Sequence, residues 1–207
     1  MKGKCFDDQR LSLVQDGTVT QFRELVKPQP QEGVTGIYPG YDGDTYWREH
    51  RLNAGYGKTG YTMLPAHRPR FVPGEVVYVK EPWCGGQHGM SVQYRDDWTP
   101  HDYGPSWRSA ASMPASSART FLRILDVRAE RLQEISEEDA MREGSVAQFS
   151  SVHGLPRLDG YGLRCVGLKP IPMQGFMALW DSLAKPGERW DDKPWVWVYT
   201  YELTEAP

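Results

Sequence analysis

The sequence predicts an α+β fold: a small mixed or antiparallel sheet, open or closed into a barrel, with short flanking helices and long loops. Three observations carry this. Runs of β-branched and aromatic residues are interleaved with short helical patterns that have recognisable caps. The two kinds of segment follow no βαβ rhythm. The stretches between them are long and rich in Gly, Tyr and Ser, as in 31–69, 84–118 and 145–170. The 207 residues suffice for a single domain, 1–207, that buries a core without disulfides or metal.

In chain order, Asp8 to Asp16 reads as a helix capped by Asp8, with Leu11 and Val14 on one face and Gly17 at its end. "TVTQFRELV" is β-branched, aromatic and roughly alternating, so it reads as a strand, stopped by Pro28 and Pro30. After a Pro73-Gly74 turn, Glu75 to Lys80 is a second strand. "RTFLRILDVRAERL" is a long strand, apolar on both faces in its middle and therefore central. "ISEEDAMREG" is a short helix: Ser136 and Asp139 have capping-box spacing, Glu137 and Glu138 suit its positive start, and Gly144 ends it. "IPMQGFMALWDSLAK" is an amphipathic helix with Phe176, Leu179, Trp180 and Leu183 on one face. The last strand, "PWVWVYTYEL", places Trp195, Trp197, Tyr199 and Tyr201 on alternate positions.

Charge and hydropathy narrow the function. A net charge of −3 and a pI of about 6.0 argue against strong nonspecific binding to a phosphate backbone. They leave room for a small positive cleft or a pocket for one base. The 8 Trp and 11 Tyr serve either core packing or base stacking. Mean hydropathy is −0.61, and no apolar run approaches the roughly 20 residues of a membrane span. "MKGKCFDDQR" lacks the apolar middle of a secretory signal. Cys5, Cys84 and Cys165 are odd in number and far apart, which reads as reduced thiols in a cytoplasmic protein with no membrane partner.

Several local patterns invite chemistry. "GYGKTG", Gly55 to Gly60, lacks the glycine a phosphate loop needs five residues before Gly57, where Leu52 stands. Cys84 and His88 have a tempting spacing, but no second ligand pair lies nearby; Cys165 and His153 could join only through tertiary structure, so no metal or other cofactor is expected. Glu143 sits in the last turn of its short helix, where the negative end of the dipole disfavours a carboxylate and can raise its pKa for proton transfer. The plainer alternative is a solvent-exposed acid paired with Arg142 or another nearby base. Lys80 ends one strand, Glu81 and Trp83 follow it and Arg119 begins the next; strand ends line clefts, so these are candidate ligand contacts, while Glu81 and Arg119 could equally be ordinary surface charges.

As a whole the chain resembles the ASCH-domain proteins of the PUA-like superfamily, in the longer form found in phages and prophages. The resemblance rests on "VQDGTVTQFRELVKPQP", "FVPGEVVYVKEPW", "WRSAASMP", "ILDVRAERLQEISEEDAMREG" and "LWDSLAKPGERWDDKPWVWVYTYEL", in that order along nearly the whole chain. It implies a small PUA-like β-barrel with helices at its sides and a cleft on one face. Relatives of this kind are linked to RNA or modified-nucleoside recognition. Some small members are amidohydrolases that remove the acetyl group from cytidine acetylated on its exocyclic amine. In those, a glycine precedes the pattern Lys-Thr-x-Thr-x-Arg, and a Glu from a later helix completes the site.

Carried onto this chain, the glycine is Gly17, the Lys position is Val19, the first Thr is Thr20, the second is Phe22, the Arg position is Glu24 and the helix Glu is Glu143. The acid is kept while the amine, one hydroxyl and the guanidinium are absent. A valine cannot attack a carbonyl or move a proton. Arg23 and Lys27 are close in sequence, but alternation turns both away from the side of Phe22 and Glu24. The resulting expectation is a binding domain for nucleic acid or a modified nucleoside, with Thr20 and Arg23 among its contacts. The alternatives are an amidohydrolase with a rearranged site in which Glu143 is the acid or base, a phage protein that binds a host protein, and a virion component.

Overall fold

The computed structural model describes residues 1–39, 47–51, 66–85, 92–97, 106–145 and 172–207. "GYGKTG", His88, His153 and Cys165 lie outside them. The main sheet contains β1 (Lys2–Cys5), β2 (Gln21–Leu25), β6 (Val76–Lys80), β9 (Phe121–Arg131) and β10 (Trp195–Thr204). Its order is β1-β6-β9-β10-β2, with β1 parallel to β6 and every other pair antiparallel. A second sheet joins β3 (Val34–Pro39), β4 (Trp47–Arg51) and β5 (Ala66–His67), and β7 (Trp83–Cys84) pairs with β8 (Gln93–Tyr94). The fold is thus α+β with a mixed, mostly antiparallel sheet. Among the described residues the strands do not close into a barrel; β1 and β2 are the edges of the main sheet.

The centre of that sheet follows the sequence pattern. β9 is the third of five strands, and Leu122, Ile124 and Val127 are buried on it. β10 is buried on both sides. Trp195, Trp197, Tyr199 and Tyr201 enter a core with Phe6, Leu11, Val14, Phe22, Ile37 and Phe71, which the β3–β4 hairpin helps to cover. Val196 and Val198 face the other way, into a smaller core with Leu132, Ile135, Ala140 and Phe176. The helices α2 (Glu137–Arg142) and α3 (Pro172–Leu183) supply that second layer.

The first helix, α1, spans Asp8–Gln15, and its cap is Asp7 rather than Asp8: the Asp7 carboxylate accepts from the Arg10 amide at 3.0 Å. In α2 the Ser136 hydroxyl accepts from the Asp139 amide at 3.1 Å, as its spacing predicts. Two expectations change. The stretch 31–69 carries three strands, not only loop, and 84–118 contains β8 and short 3₁₀ turns. β1, "KGKC", has no strand-like composition; parallel pairing with β6 supplies what local propensity does not.

Candidate functional site

β2 places successive side chains on opposite faces of the sheet edge. Phe22 lies opposite Tyr199 and stacks on it at 4.8 Å, with Phe6 and Phe71 edge-on at 5.6 and 6.1 Å. Val19, just before the strand, is fully buried, and a Cβ on Gly144 would come within 2.8 Å of it. Both positions where the family pattern has a Lys and a Thr are therefore core. Glu24, at the pattern's Arg position, accepts from Lys4 Nζ at 2.6 Å and lies 3.5 Å from Arg70. Burial holds the Lys4 ammonium below its ordinary pKa, although Glu24 works against that.

Arg23 faces the other way, opposite Val198, and is buried. There it meets Glu143, with which it forms a close ion pair, and Glu130 at 2.6 Å. Asp139 lies 3.5 Å away and binds Arg128 at 2.6 Å. Gln21 fills the gap, its amide nitrogen 3.1 Å from Asp139 and its oxygen 3.2 Å from Arg23 in the orientation that satisfies both. Glu143 is not on the surface but is 1 % exposed, at the residue where α2 ends. Gly144 makes that placement possible: its φ of +82° turns the chain, and its N–H closes on Met141 O at 2.9 Å.

Burial raises the Glu143 carboxyl above its ordinary pKa, and the nearby Arg23 and Arg10 only partly offset this. Burial likewise works against the charge of Arg23, but Glu143 and Glu130 overcome it and raise the guanidinium further. Such a cluster fixes geometry more than it adds net stability. Three buried polar atoms near it have no hydrogen-bond partner among the described residues: Arg23 Nε, Ser145 Oγ and the Tyr201 hydroxyl.

A cavity of about 370 Å³ opens beside this cluster, between the edge of β2 and α3. Arg23 and Glu143 stand in its wall, joined by Glu24, Leu25 and Arg10. Phe176, Leu179, Trp180 and Leu183 form the apolar side, with Phe176 5.6 Å from the Arg23 guanidinium. Trp180 is anchored by its indole N–H on Glu188 O at 2.8 Å. Lys27 and Glu188, 3.3 Å apart, Ala184 and Arg70 complete the lining. The lining includes no Ser, Thr or Cys among the described residues. It sets a wall of charged residues against an aromatic one.

The candidate residues separate into two groups. Arg23 and Glu143 come together in the cavity. Thr20 is adjacent through its backbone, its N–H on Arg142 O at 3.0 Å and its carbonyl accepting from Tyr201 N at 2.9 Å. Lys80, Glu81, Trp83 and Arg119 gather elsewhere, beyond the end of β6. Arg119 donates to both Glu81 oxygens at 2.7 to 3.1 Å, binds Asp97 and packs 4.0 Å from the Tyr94 ring. Gln15 donates to Glu81 at 2.8 Å, Lys80 to Ala111 O at 2.8 Å and the Trp83 indole to Ser112 at 3.2 Å. None of these four lines the cavity. Arg10, Arg70 and Glu188 do, and nothing local in the sequence marks them. The exposed end of the α3 stripe was the available signal: Leu183, on its apolar face, is 59 % exposed.

Among the described residues no group of three or more His, Cys, Asp or Glu could hold a metal ion, and no helix is long and apolar enough to cross a membrane. The chain matches no protein-family model, no curated protein and no solved structure.

Proposed function

We propose that this chain is a PUA-like binding domain of the ASCH kind whose β2-edge cavity holds a nucleobase or nucleoside, free or presented by a nucleic acid, and that it has lost the family's hydrolytic edge. The observation that carries the reading is the cavity itself, with the buried Arg23–Glu143 pair on one side and Phe176 and Trp180 on the other. Its volume, about 370 Å³, is at the small end of the roughly 300–1,000 Å³ of ligand pockets, which suits one ring system and its sugar. An aromatic wall recognises a base without a basic surface, in keeping with the net charge of −3. Val19 and Phe22 are sealed in the core and leave no amine or hydroxyl at the positions where the family places them.

Calorimetric titration with a panel of unmodified, acylated and methylated nucleosides tests this. Saturable binding of at least one is expected. Trp180→Ala, which removes a stacking surface, weakens it by about 1–3 kcal/mol, about 5- to 150-fold. A panel without any binder contradicts the reading.

One observation favours a second reading, an amidohydrolase: the raised pKa of Glu143 suits a general acid or base. That reading requires turnover of an N(4)-acylated cytidine that Glu143→Gln abolishes. Its absence across the acylated nucleosides removes the enzyme and leaves the binding domain.

A further inference from the structure

We propose that the ligand in this cavity is read by the backbone edge of β2, through the main-chain N–H and C=O groups of Arg23 and Leu25, and that it is a planar heterocycle with an adjacent hydrogen-bond donor and acceptor. The inference rests on the nucleoside reading above and names how that site recognises its ligand.

β2 has a neighbour on one side only, β10. The ladder between them fixes which residues turn inward. Tyr201 N donates to Thr20 O at 2.9 Å and Val26 N to Trp195 O at 3.0 Å. Residues opposite each other in an antiparallel pair alternate between exchanging both hydrogen bonds and exchanging none. With Thr20 and Val26 bonded to β10, Phe22 and Glu24 are bonded as well. Gln21, Arg23 and Leu25 therefore turn their N–H and C=O groups away from the sheet.

The cavity lies on that outward side. Arg23, Glu24 and Leu25 all line it, although their side chains alternate between the two faces of the sheet. A space touched by three successive strand residues borders the edge of the strand, not one of its faces. No strand covers this edge among the described residues, and α3 stands across the cavity from it. Backbone groups beside an apolar wall need partners.

The outward N–H and C=O of one residue form the donor–acceptor pair that an antiparallel strand would take. The amide-like edge of a nucleobase carries the complementary pair on adjacent atoms. Phe176 and Trp180 provide the apolar wall for the ring, while Lys27, Glu188 and Arg70 stand at its rim with solvent-accessible charged side chains. Recognition of this kind selects for an intact donor–acceptor edge more than for one base.

The test is amide hydrogen exchange by NMR on the full chain, with and without cytidine, uridine, adenosine and guanosine. Each is paired with a counterpart whose donor is methylated: N4,N4-dimethylcytidine, 3-methyluridine, N6,N6-dimethyladenosine and 1-methylguanosine. The nucleoside that binds is expected to slow exchange at the Arg23 and Leu25 amides by about tenfold or more, and its methylated counterpart to bind about tenfold more weakly. Leu25→Pro removes an outward N–H that β10 does not use, so it weakens binding about fivefold or more in a chain that still melts cooperatively. If that variant does not fold, the exchange measurement decides alone. A bound nucleoside that leaves both amides exchanging as before overturns the backbone-edge inference while the cavity remains a nucleoside site. Failure of all eight to bind overturns the site and the inference together.

Discussion

Among the described residues two clusters bury a glutamate almost completely against an arginine, and one of them lines the cavity beside β2. Glu143 with Arg23 stands beside a space of about 370 Å³ with an aromatic wall. Glu81 with Arg119 is bound instead by Gln15, Asp97 and Tyr94 and does not line that cavity. Both pairs consist of residues that sequence reasoning singles out, and both glutamates are 1 % exposed. The difference lies in what surrounds them. Arg23 has no exposed side-chain surface and serves three carboxylates, whereas the Arg119 side chain is 32 % exposed and serves two, Glu81 through a bidentate pair and the exposed Asp97. A buried acid with a basic partner is therefore a structural device by default, and the adjoining cavity is what makes one of the two a candidate site.

Removing each arginine breaks or sharpens this contrast most strongly. Arg23→Ala leaves Glu143 and Glu130 without their main partner in a dry setting and is expected to cost about 3–5 kcal/mol in urea unfolding. Arg119→Ala leaves Glu81 with Gln15 and some access to water, at about 1–3 kcal/mol, and does not change nucleoside binding. Equal losses from the two variants would mean that the clusters are energetically alike.

The opposite face of β2 predicts nearly as large an effect. Phe22→Thr removes the ring that Tyr199, Phe6 and Phe71 surround, for about 3–4 kcal/mol. Adding Val19→Lys places an ammonium against Gly144 in the same core. Introducing the Lys and Thr of the ASCH pattern here is thus expected to unfold the protein before it makes an enzyme, as a thermal melt would show. A folded, active variant would show that this side of the strand is an unused catalytic edge.

The pH dependence of stability probes the Glu143 cluster at smaller amplitude. Burial raises the Glu143 carboxyl above its ordinary 4.5, so the folded state holds this proton more tightly than the unfolded one. Its contribution is complete below pH 4.5 and is lost as pH rises through the folded pKa. Melting temperature followed upward from pH 4 should therefore fall more steeply in the parent than in Glu143→Gln. A parallel pair of curves would mean that Arg23 fully compensates the burial.

The smallest expected effect concerns the turn that delivers Glu143. Gly144→Ala meets both a φ of +82° and Val19 at 2.8 Å, and should cost about 1–2 kcal/mol. Gly187→Ala, at a φ of +83° with open space around it, should cost less.

Much of this was legible in the sequence because it is local. The caps of α2, the Pro stop after β2 and the alternation of β10 are patterns within ten residues, and the structure follows them. Strand alternation also correctly turned Arg23 away from Phe22, but a one-strand pattern cannot show that the other face is the one Glu143 approaches, 120 residues later in the chain. The Glu81–Arg119 pairing was hidden for the same reason: position at a strand end does not show which residue, 38 positions away, will meet it. β3, β4 and β5 were hidden because a Gly-rich composition masks strands held together by pairing and by core contacts at Val34 and Ile37. The cavity is a property of the gap between β2 and α3, and its only local trace was an apolar helical stripe longer than the core could cover.

Calorimetric titration of the nucleoside panel into the parent, Trp180→Ala and Arg119→Ala tests the central claim most directly. The account predicts one-site binding by the parent, weakening of about 5- to 150-fold in Trp180→Ala, and no change in Arg119→Ala. Binding that survives in Trp180→Ala but is lost in Arg119→Ala would place the site at the other cluster and contradict it.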